Sequence, residues 1–186
     1  QGEIGRLSRI AEPTVGLITN IGPAHLEGLK SLALIREEKG ELFRNLADQG
    51  IAVINTDDDA TGALAKRWSG KRVTYGLRGD ADVTAQEFVT SERGLCFTIR
   101  SGAYRGEVAI ATWGTHNVMN ALGAAAIACA LGTDWDVICR GLKAFKPISG
   151  RMEIKCLKNG VFLINDSYNA NPLSVREALF TMKTLR

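Results

Sequence analysis

Three short runs typical of strands, separated by two helical patterns, place the strongest constraint on how this chain folds. The runs lie at residues 15–18, 51–55 and 72–75, and amphipathic patterns fill residues 31–49 and 57–70. Strand, helix, strand, helix, strand is typical of a parallel sheet, because each crossover helix returns the chain to the end where the next strand begins. The sequence therefore predicts an α/β fold with a mostly parallel, doubly wound sheet.

From residue 82 onward the apolar period changes to two. Apolar residues recur at every second position over residues 83–85, 95–99 and 108–111, and turn residues follow the first two runs. Alternation of this kind is typical of strands with one buried face. We expect an antiparallel patch added to the parallel sheet.

A second domain is predicted to begin near residue 148. Residues 146–150 have the proline, serine and glycine content of a hinge. Beyond them, two strand patterns flank a Lys158-Asn159-Gly160 turn, and Pro172 suits the first position of a last helix. Residues 1–147 are thus expected to form one domain, and residues 148–186 the start of another.

Composition and charge exclude several classes of protein. Of 186 residues, 45% are hydrophobic and 23% are charged, which is ordinary for a soluble globular domain. The net charge of +3 is too small to indicate nucleic-acid binding, but it suits an anionic small substrate. No apolar run approaches the ~20 residues of a membrane span, and the start lacks the features of a signal peptide. We expect a monomeric cytoplasmic protein.

Two further features concern the chain's context. The four cysteines form no C-x-x-C pair, and no histidine lies at zinc-site spacing from them, so we expect reduced, structural thiols. The chain starts at Gln1 without a methionine and ends at Arg186 inside a helical pattern. We therefore expect a piece of a longer protein.

Lys39 interrupts an apolar stripe. Five apolar side chains recur at the helical period on that stripe: Leu32, Ile35, Leu42, Phe43 and Leu46. An inward lysine either pairs with an anion or has a lowered pKa and becomes a reactive neutral amine. The simpler alternative is that Lys39 extends past the stripe and pairs with Glu38, Glu41 or another carboxylate. Both interpretations stay open at this level.

Other polar residues stand where open α/β sheets bind ligands. His25 lies in a loop just after the first strand, where a histidine is either structural or a ligand. Asn117 and Asn120 share one helical face. They either hydrogen-bond to the unpaired backbone groups at the helix N-terminus or contact the base of a nucleotide. The acidic triplet at residues 57–59 could bind a metal ion, but capping of the next helix is the favoured interpretation.

Five motifs occur in the order found in Mur ligases, and through them nearly the whole chain resembles that family. They are TNIGPAHLE at 19–27, KGELF at 39–43, GTHNVMNAL at 114–122, GRM at 150–152 and DSYNANP at 166–172. The last motif is similar to that of the members that add D-alanyl-D-alanine to UDP-N-acetylmuramoyl-tripeptide. The resemblance implies a partial Mur ligase central domain followed by the start of a Rossmann-like C-terminal domain.

The resemblance also implies a reaction. Mur ligases use ATP and Mg²⁺ to convert a carboxylate into an acyl phosphate, which an amine then attacks. In this chain it would serve peptidoglycan synthesis, and thus cell wall biogenesis, cell shape and cell division. UDP-N-acetylmuramoyl-tripeptide and D-alanyl-D-alanine are the implied substrates.

Residue roles follow by position from the same resemblance. His25 corresponds to a ligand of one Mg²⁺, and Lys39 to a lysine that reacts with CO₂ to give a carbamate. Arg151 corresponds to an arginine that reaches the nucleotide phosphates. His25, Lys39 and Arg151 are accordingly the implied catalytic residues.

The remaining implied roles concern the nucleotide. Asp166 corresponds to a carboxylate at the ribose hydroxyls, and Asn117 and Asn120 lie on the helix beside the adenine. Tyr168 and Asn169, with Asn171, belong to a signature near the domain interface.

This sequence also departs from the family pattern. Lys30 stands where many members have glycine, and Asn165 stands where an aspartate often precedes Asp166. No G-x-x-x-x-G-K-[ST] phosphate loop occurs, and a second metal-binding glutamate is expected upstream of Gln1. We therefore expect this chain alone to be inactive.

Two alternative functions remain at this level. One is an amide ligase with a different acceptor, such as another Mur ligase or a folylpolyglutamate synthetase, against which the DSYNANP motif argues. The other is a non-catalytic nucleotide-binding module on the same scaffold.

Overall fold

The computed structural model describes residues 2–22, 31–91, 94–169 and 172–184. In chain order its helices and strands are α1 (Glu3–Ala11), β1 (Val15–Ile18), α2 (Leu32–Arg44), β2 (Ile51–Asn55), α3 (Asp59–Ala65), β3 (Lys71–Tyr75), β4 (Thr84–Ser91), β5 (Gly94–Ser101), β6 (Tyr104–Ile110), α4 (Thr115–Ala130), α5 (Trp135–Lys143), β7 (Glu153–Cys156), β8 (Phe162–Asn165) and α6 (Pro172–Thr184). Among the described helices, none has the length and apolar character needed to cross a membrane.

The first three strands form a parallel sheet in the order β1-β2-β3. Val15 lies beside Ile51, and Ile51 beside Lys71, so the three strands run in one direction with matched starts. Alternate residues of β2 enter different cores: Ile54 packs with side chains of α2 and α3, whereas Val53 packs with α4. Helices therefore cover both faces, and the predicted doubly wound α/β arrangement is confirmed.

The predicted antiparallel patch is a second sheet with the order β4-β5-β6. One parallel bridge, between Tyr75 and Val83, connects it to the first sheet. Its apolar face shares a core with α4 and α5, where Phe97, Ile99 and Leu122 are buried. The two sheets thus enclose α4 between them.

The last part of the chain is a β7-β8 hairpin followed by α6. The two strands pair antiparallel, with Glu153 opposite Asn165, and Gly160 takes the positive φ of 77° that the turn requires. The hairpin and the helix beginning at Pro172 agree with the sequence prediction. The domain boundary at residue 148 remains a prediction.

Helix ends were the least well predicted features. The α2 helix ends at Arg44 instead of residue 49, because the Asn45 side chain donates to the Glu41 carbonyl at 2.7 Å and closes the last turn. Leu32, predicted on the buried stripe, is 51% exposed, whereas Ile35 is 2% exposed. Thr115 is the first residue of α4 and not its N-cap, which is Gly114 at φ 88°.

Candidate functional site

The site begins at the carboxyl ends of the parallel strands, where side chains hold the backbone that leaves β1. The Thr19 carbonyl accepts a hydrogen bond from the Asn55 amide at 2.7 Å and from the Tyr75 hydroxyl at 3.5 Å. Asn55 and Tyr75 are both buried at the ends of their strands. Buried polar groups are costly unless paired, so these contacts fix the start of the loop after β1.

Lys39 reaches this edge from α2. Its Nζ donates to the Asn20 carbonyl at 2.7 Å, and its side chain is half-buried. Burial lowers the pKa of the Lys39 amine, although the nearby Asp58 carboxylate opposes this effect. Lys39 thus turns toward the end of β1 with a lowered pKa, and its catalytic role stays a prediction.

The carboxylates that could have neutralised Lys39 on its own helix are engaged elsewhere. Glu38 accepts from the backbone N–H groups of Gly2 at 2.6 Å and Ile4 at 3.0 Å, and so caps α1. Glu41 pairs with Arg44. Neither Glu38 nor Glu41 thus pairs with Lys39 among the described contacts. The alternative of another carboxylate stays open, because Asp58 is near enough to favour the charged amine.

The acidic triplet at residues 57–59 stabilises loops and a helix start. Asp58 is the N-cap of α3, and its carboxylate accepts from the Thr61 N–H at 2.7 Å. Asp57 accepts from the N–H groups of Leu77 at 2.7 Å and Arg78 at 3.0 Å. The capping interpretation is confirmed for Asp58. Since His25 lies outside the described residues, its pairing with Lys39 stays a prediction.

Two asparagines form a hydrogen-bonded chain at the start of α4. Asn117 Nδ2 contacts the Thr112 hydroxyl at 3.0 Å, the Trp113 carbonyl at 2.7 Å and His116 Nε2 at 3.1 Å. Asn120 Nδ2 in turn donates to Asn117 Oδ1 at 3.2 Å. The amides therefore share one face, as predicted, and the structure fixes their orientation.

His116 belongs to the motif at 114–122, and the sequence predicts no separate role for it. Its Nδ1 is buried and has no hydrogen-bond partner in the described part of the chain. Burial lowers the pKa of His116, whereas the carboxylates of Glu177 and Asp166 oppose this shift. His116 and the Thr181 hydroxyl both border Gly114, which places the ring between α4 and α6.

A cavity of about 640 Å³ joins residues from several parts of the predicted site. The two asparagines line it together with Arg151, which follows the predicted hinge. Its other walls are mainly apolar and come from α4, α5 and the segment after α5, including Ala124, Val137 and Phe145. A cavity with apolar walls and a few convergent polar groups is the usual form of a small-molecule site.

Arg151 contacts Tyr168, and the residues on either side of Arg151 bond to Asp166 and Tyr168. Its guanidinium lies 4.2 Å from the centre of the Tyr168 ring, which is a cation–π distance. Asp166 Oδ1 accepts from the Met152 N–H at 3.0 Å, and Gly150 O accepts from the Tyr168 N–H at 3.0 Å. These contacts gather Arg151, Asp166 and Tyr168, whereas Asn169 is exposed beside them and Asn171 lies outside the described residues.

Glu153 is a residue of this region that sequence reasoning missed. It accepts from the Ser149 hydroxyl at 2.9 Å and lies 2.9 Å from Lys155 Nζ. The Gly150 N–H and the Asn165 amide also approach it, at 3.4 Å and 3.3 Å. The Lys155 contact, with these donors, lowers the pKa of Glu153 to about 2. No local pattern reveals this role, because the donors come from both sides of the hairpin.

Comparison with known proteins shows the family to which the chain is related. The Mur ligase middle domain model matches residues 1–128. The UDP-N-acetylmuramoyl-tripeptide--D-alanyl-D-alanine ligase of Mycobacterium tuberculosis H37Rv is 36% identical over 180 residues, which cover 96% of this chain and 35% of that protein. The Escherichia coli K12 protein of the same name is 33% identical, with 96% and 40% of the two chains covered.

Solved structures are similar over the same extent. MurF from Acinetobacter baumannii superposes with a TM-score of 0.91 at 33% identity, covering 98% of this chain and 40% of that one. MurF ligase from Thermotoga maritima, in complex with ADP, gives 0.85 at 26% identity, covering 97% and 42%. The chain therefore spans well under half the length of these relatives. Since the middle-domain model matches more than half of the residues, the chain belongs to the Mur ligase family.

Proposed function

We propose that this chain is part of an ATP-dependent ligase that joins D-alanyl-D-alanine to UDP-N-acetylmuramoyl-tripeptide in peptidoglycan precursor synthesis. The observation that supports this proposal most directly is one shared cavity. Asn117 and Asn120, before the predicted hinge, and Arg151, after it, all line that cavity. Relatives named for this reaction are 33–36% identical to this chain over 96% of its length. The chain spans 35–40% of their length, so the complete site requires segments that these residues do not supply.

Among the proposed substrates, the nucleotide is the one that suits this cavity. Its apolar walls fit a base, and Asn120, whose amide oxygen is uncommitted in the described contacts, can accept from an exocyclic amine. Arg151 would carry positive charge to the phosphates, where it offsets charge that develops during phosphoryl transfer. The ADP bound by the Thermotoga maritima relative supports a nucleotide for this chain as well.

The surroundings of Lys39 fit the proposed carbamate. Carbamate formation needs a neutral amine, and burial favours that form at Lys39. Adding CO₂ joins Nζ to carbon and releases a proton, and the remaining N–H can keep the bond to the Asn20 carbonyl. The product is an anionic oxygen ligand, which together with His25 would hold Mg²⁺.

The reaction brings negatively charged groups together. The tripeptide carboxylate must approach the γ-phosphate of ATP, and bound Mg²⁺ would reduce the repulsion between them. Arg151 offsets charge on the phosphate side, while the fixed amides at α4 hold the nucleotide in place. Water must then be excluded from the acyl phosphate, which is why a hinge at residues 146–150 is useful.

We also propose that this hinge divides the chain into residues 1–147 and 148–186. Between α5 and β7 lie residues with neither helix nor strand, and both Gly150 (φ 77°) and Met152 (φ 49°) have left-handed backbone conformations. Such a segment can localise a change of backbone direction.

The test of the proposed function is ligation by the full-length protein. It should form the amide from UDP-N-acetylmuramoyl-tripeptide, D-alanyl-D-alanine and ATP, with Mg²⁺ required. Lys39→Ala should lower turnover by about a hundredfold or more, because a metal site contributes several kcal/mol to the barrier. Added acetate should partly restore it. Lys71→Ala, at the opposite edge of the sheet, is the matched control.

Two results would oppose the proposal. One is normal turnover by Lys39→Ala, and the other is the absence of ligation with this acceptor. His25→Ala should shift the Mg²⁺ dependence while leaving the melting curve unchanged. If the fold collapses instead, His25 is structural.

A further inference from the structure

Asp58 uses each of its carboxylate oxygens for a different segment of the chain. Oδ1 accepts from the Thr61 N–H at 2.7 Å, which caps α3. Oδ2 accepts from the Ile21 N–H at 3.2 Å, and Ile21 lies 37 positions earlier in the chain. An N-cap needs only one acceptor, so the second contact is not explained by capping.

The Ile21 contact completes a row of backbone anchors. The carbonyl of Thr19 is held by Asn55, the carbonyl of Asn20 by Lys39, and the N–H of Ile21 by Asp58. Three consecutive residues are therefore bound by side chains from β2, from α2 and from the residue before α3. The chain enters the segment containing His25 from a fixed position.

Asp58 also affects the charge at Lys39. Its carboxylate favours the protonated amine, against the effect of burial. The two side chains bind adjacent residues of the same loop. Loss of Asp58 would thus alter both the loop position and the local field at Lys39.

We propose that Asp58 is a positioning residue for the ligase reaction, holding residues 19–21 so that Lys39, which is bound to the Asn20 carbonyl, keeps the geometry needed to bind Mg²⁺. The proposal rests on the proposed function. It adds a residue that touches no substrate and acts through the backbone of the loop. The cap on α3 and the anchor on Ile21 are separable, because they use different oxygens.

The Asp58→Asn variant separates the cap on α3 from the anchor on Ile21. Asparagine caps helices as well as aspartate does, but its single oxygen cannot serve both contacts in their present geometry. The variant should therefore melt close to the wild type, while the Ile21 N–H loses its acceptor. Asp134→Asn is the matched control, because Asp134 caps α5 through the Asp136 N–H and binds no distant segment within the described residues.

Two readouts on the full-length protein are needed. The first is amide hydrogen exchange at Ile21 without ATP or metal, which should accelerate by about tenfold in Asp58→Asn and stay unchanged in Asp134→Asn. The second is the Mg²⁺ concentration for half-maximal turnover, which should rise by about tenfold, as expected when a group supporting a metal site is lost. The KM for ATP should change little.

The outcomes of these measurements test separately the anchor on Ile21, the positioning role of Asp58 and the proposed function. Unchanged Ile21 exchange in Asp58→Asn would show that the anchor does not exist. Faster exchange with wild-type turnover and Mg²⁺ dependence would leave Asp58 as a cap and a structural anchor only, and would overturn the positioning role. If the wild type fails to ligate D-alanyl-D-alanine, the proposed function fails, whereas the exchange result still judges the anchor.

Discussion

The guanidinium of Arg151 stacks on the ring of Tyr168, 4.2 Å from its centre. Arg151 lies directly after the predicted hinge and also lines the cavity beside Asn117, whereas Tyr168 follows β8 and is 66% exposed. The ring therefore limits the directions available to a cation that would otherwise move freely in solvent. This contact keeps Arg151 on the side of the cavity from which, in the proposed function, it would bind the nucleotide phosphates.

This stacking predicts different results for two substitutions of Tyr168. Tyr168→Phe keeps the aromatic face and should retain turnover near the wild-type value. Tyr168→Leu removes it and should lower turnover about two- to fivefold, since an exposed cation–π contact contributes about 0.5–1 kcal/mol. Steady-state kinetics of the full-length protein at saturating ATP is the measurement. Equal loss in both variants would show that the hydroxyl matters and the ring does not.

Removing the charge of Arg151 tests whether the region after the hinge completes the site. Arg151→Ala should reduce turnover by about a hundredfold, as expected when a group that stabilises developing charge is lost, with a smaller effect on ATP binding. ATP and the tripeptide substrate together should also reduce the radius of gyration of the full-length protein in solution scattering. Identical scattering with and without ligands, or normal turnover by Arg151→Ala, would argue against closure.

The backbone conformation at position 150 is predicted to require glycine. At φ 77°, an alanine would be strained and should destabilise the protein by about 1 kcal/mol. The strain should also disturb the Tyr168 N–H bond to the Gly150 carbonyl, and so lower turnover. Gly62→Ala is the control, because Gly62 is helical with open space around it, and that change should stabilise α3. Chemical denaturation measures both, and a stable Gly150→Ala variant would contradict the argument.

His116 should make stability depend on pH in the range of histidine titration. Its pKa is lowered in the folded state, so the unfolded chain binds protons more readily. The stability that His116 contributes is therefore present above its unfolded pKa of about 6.5 and is lost as the pH falls through the folded pKa. Glu177 and Asp166 face the ring and reduce this effect without reversing it.

The comparison that isolates His116 is a neutral variant. His116→Gln cannot take up a proton, so its melting temperature should fall less than that of the wild type between pH 7.5 and the acidic side of the histidine range. Thermal melts of the full-length protein at matched ionic strength provide the measurement. Parallel pH profiles would mean that the ring titrates normally in the fold.

Much of the fold could be predicted because its signals are local. The strand at 51–55 is a short apolar run, the cap at Asp58 is a residue type at a helix start, and Gly160 marks a turn. Each of these features depends on residues close in the chain. The errors also have local causes, such as the Asn45 side chain that ends α2 early.

The contacts that build the site depend on distant pairs, and these were not predictable. The apolar stripe indicated that Lys39 turns inward, but nothing in the sequence specified the Asn20 carbonyl as its partner. The second bond of Asp58, to Ile21, is likewise set by how β1 and β2 lie side by side. Residue types indicated which groups were available, whereas the sheet determined which of them meet.

Glu38 and Lys39 are neighbours on α2, yet they hold the chain on opposite sides of β1. Glu38 binds the N–H groups of Gly2 and Ile4 before the strand, and Lys39 binds the Asn20 carbonyl after it. A shift of the chain at Gly2 can therefore act on α2 through Glu38 as well as on β1 through α1. The position of the lysine on which the proposed chemistry depends is thus linked to both ends of β1.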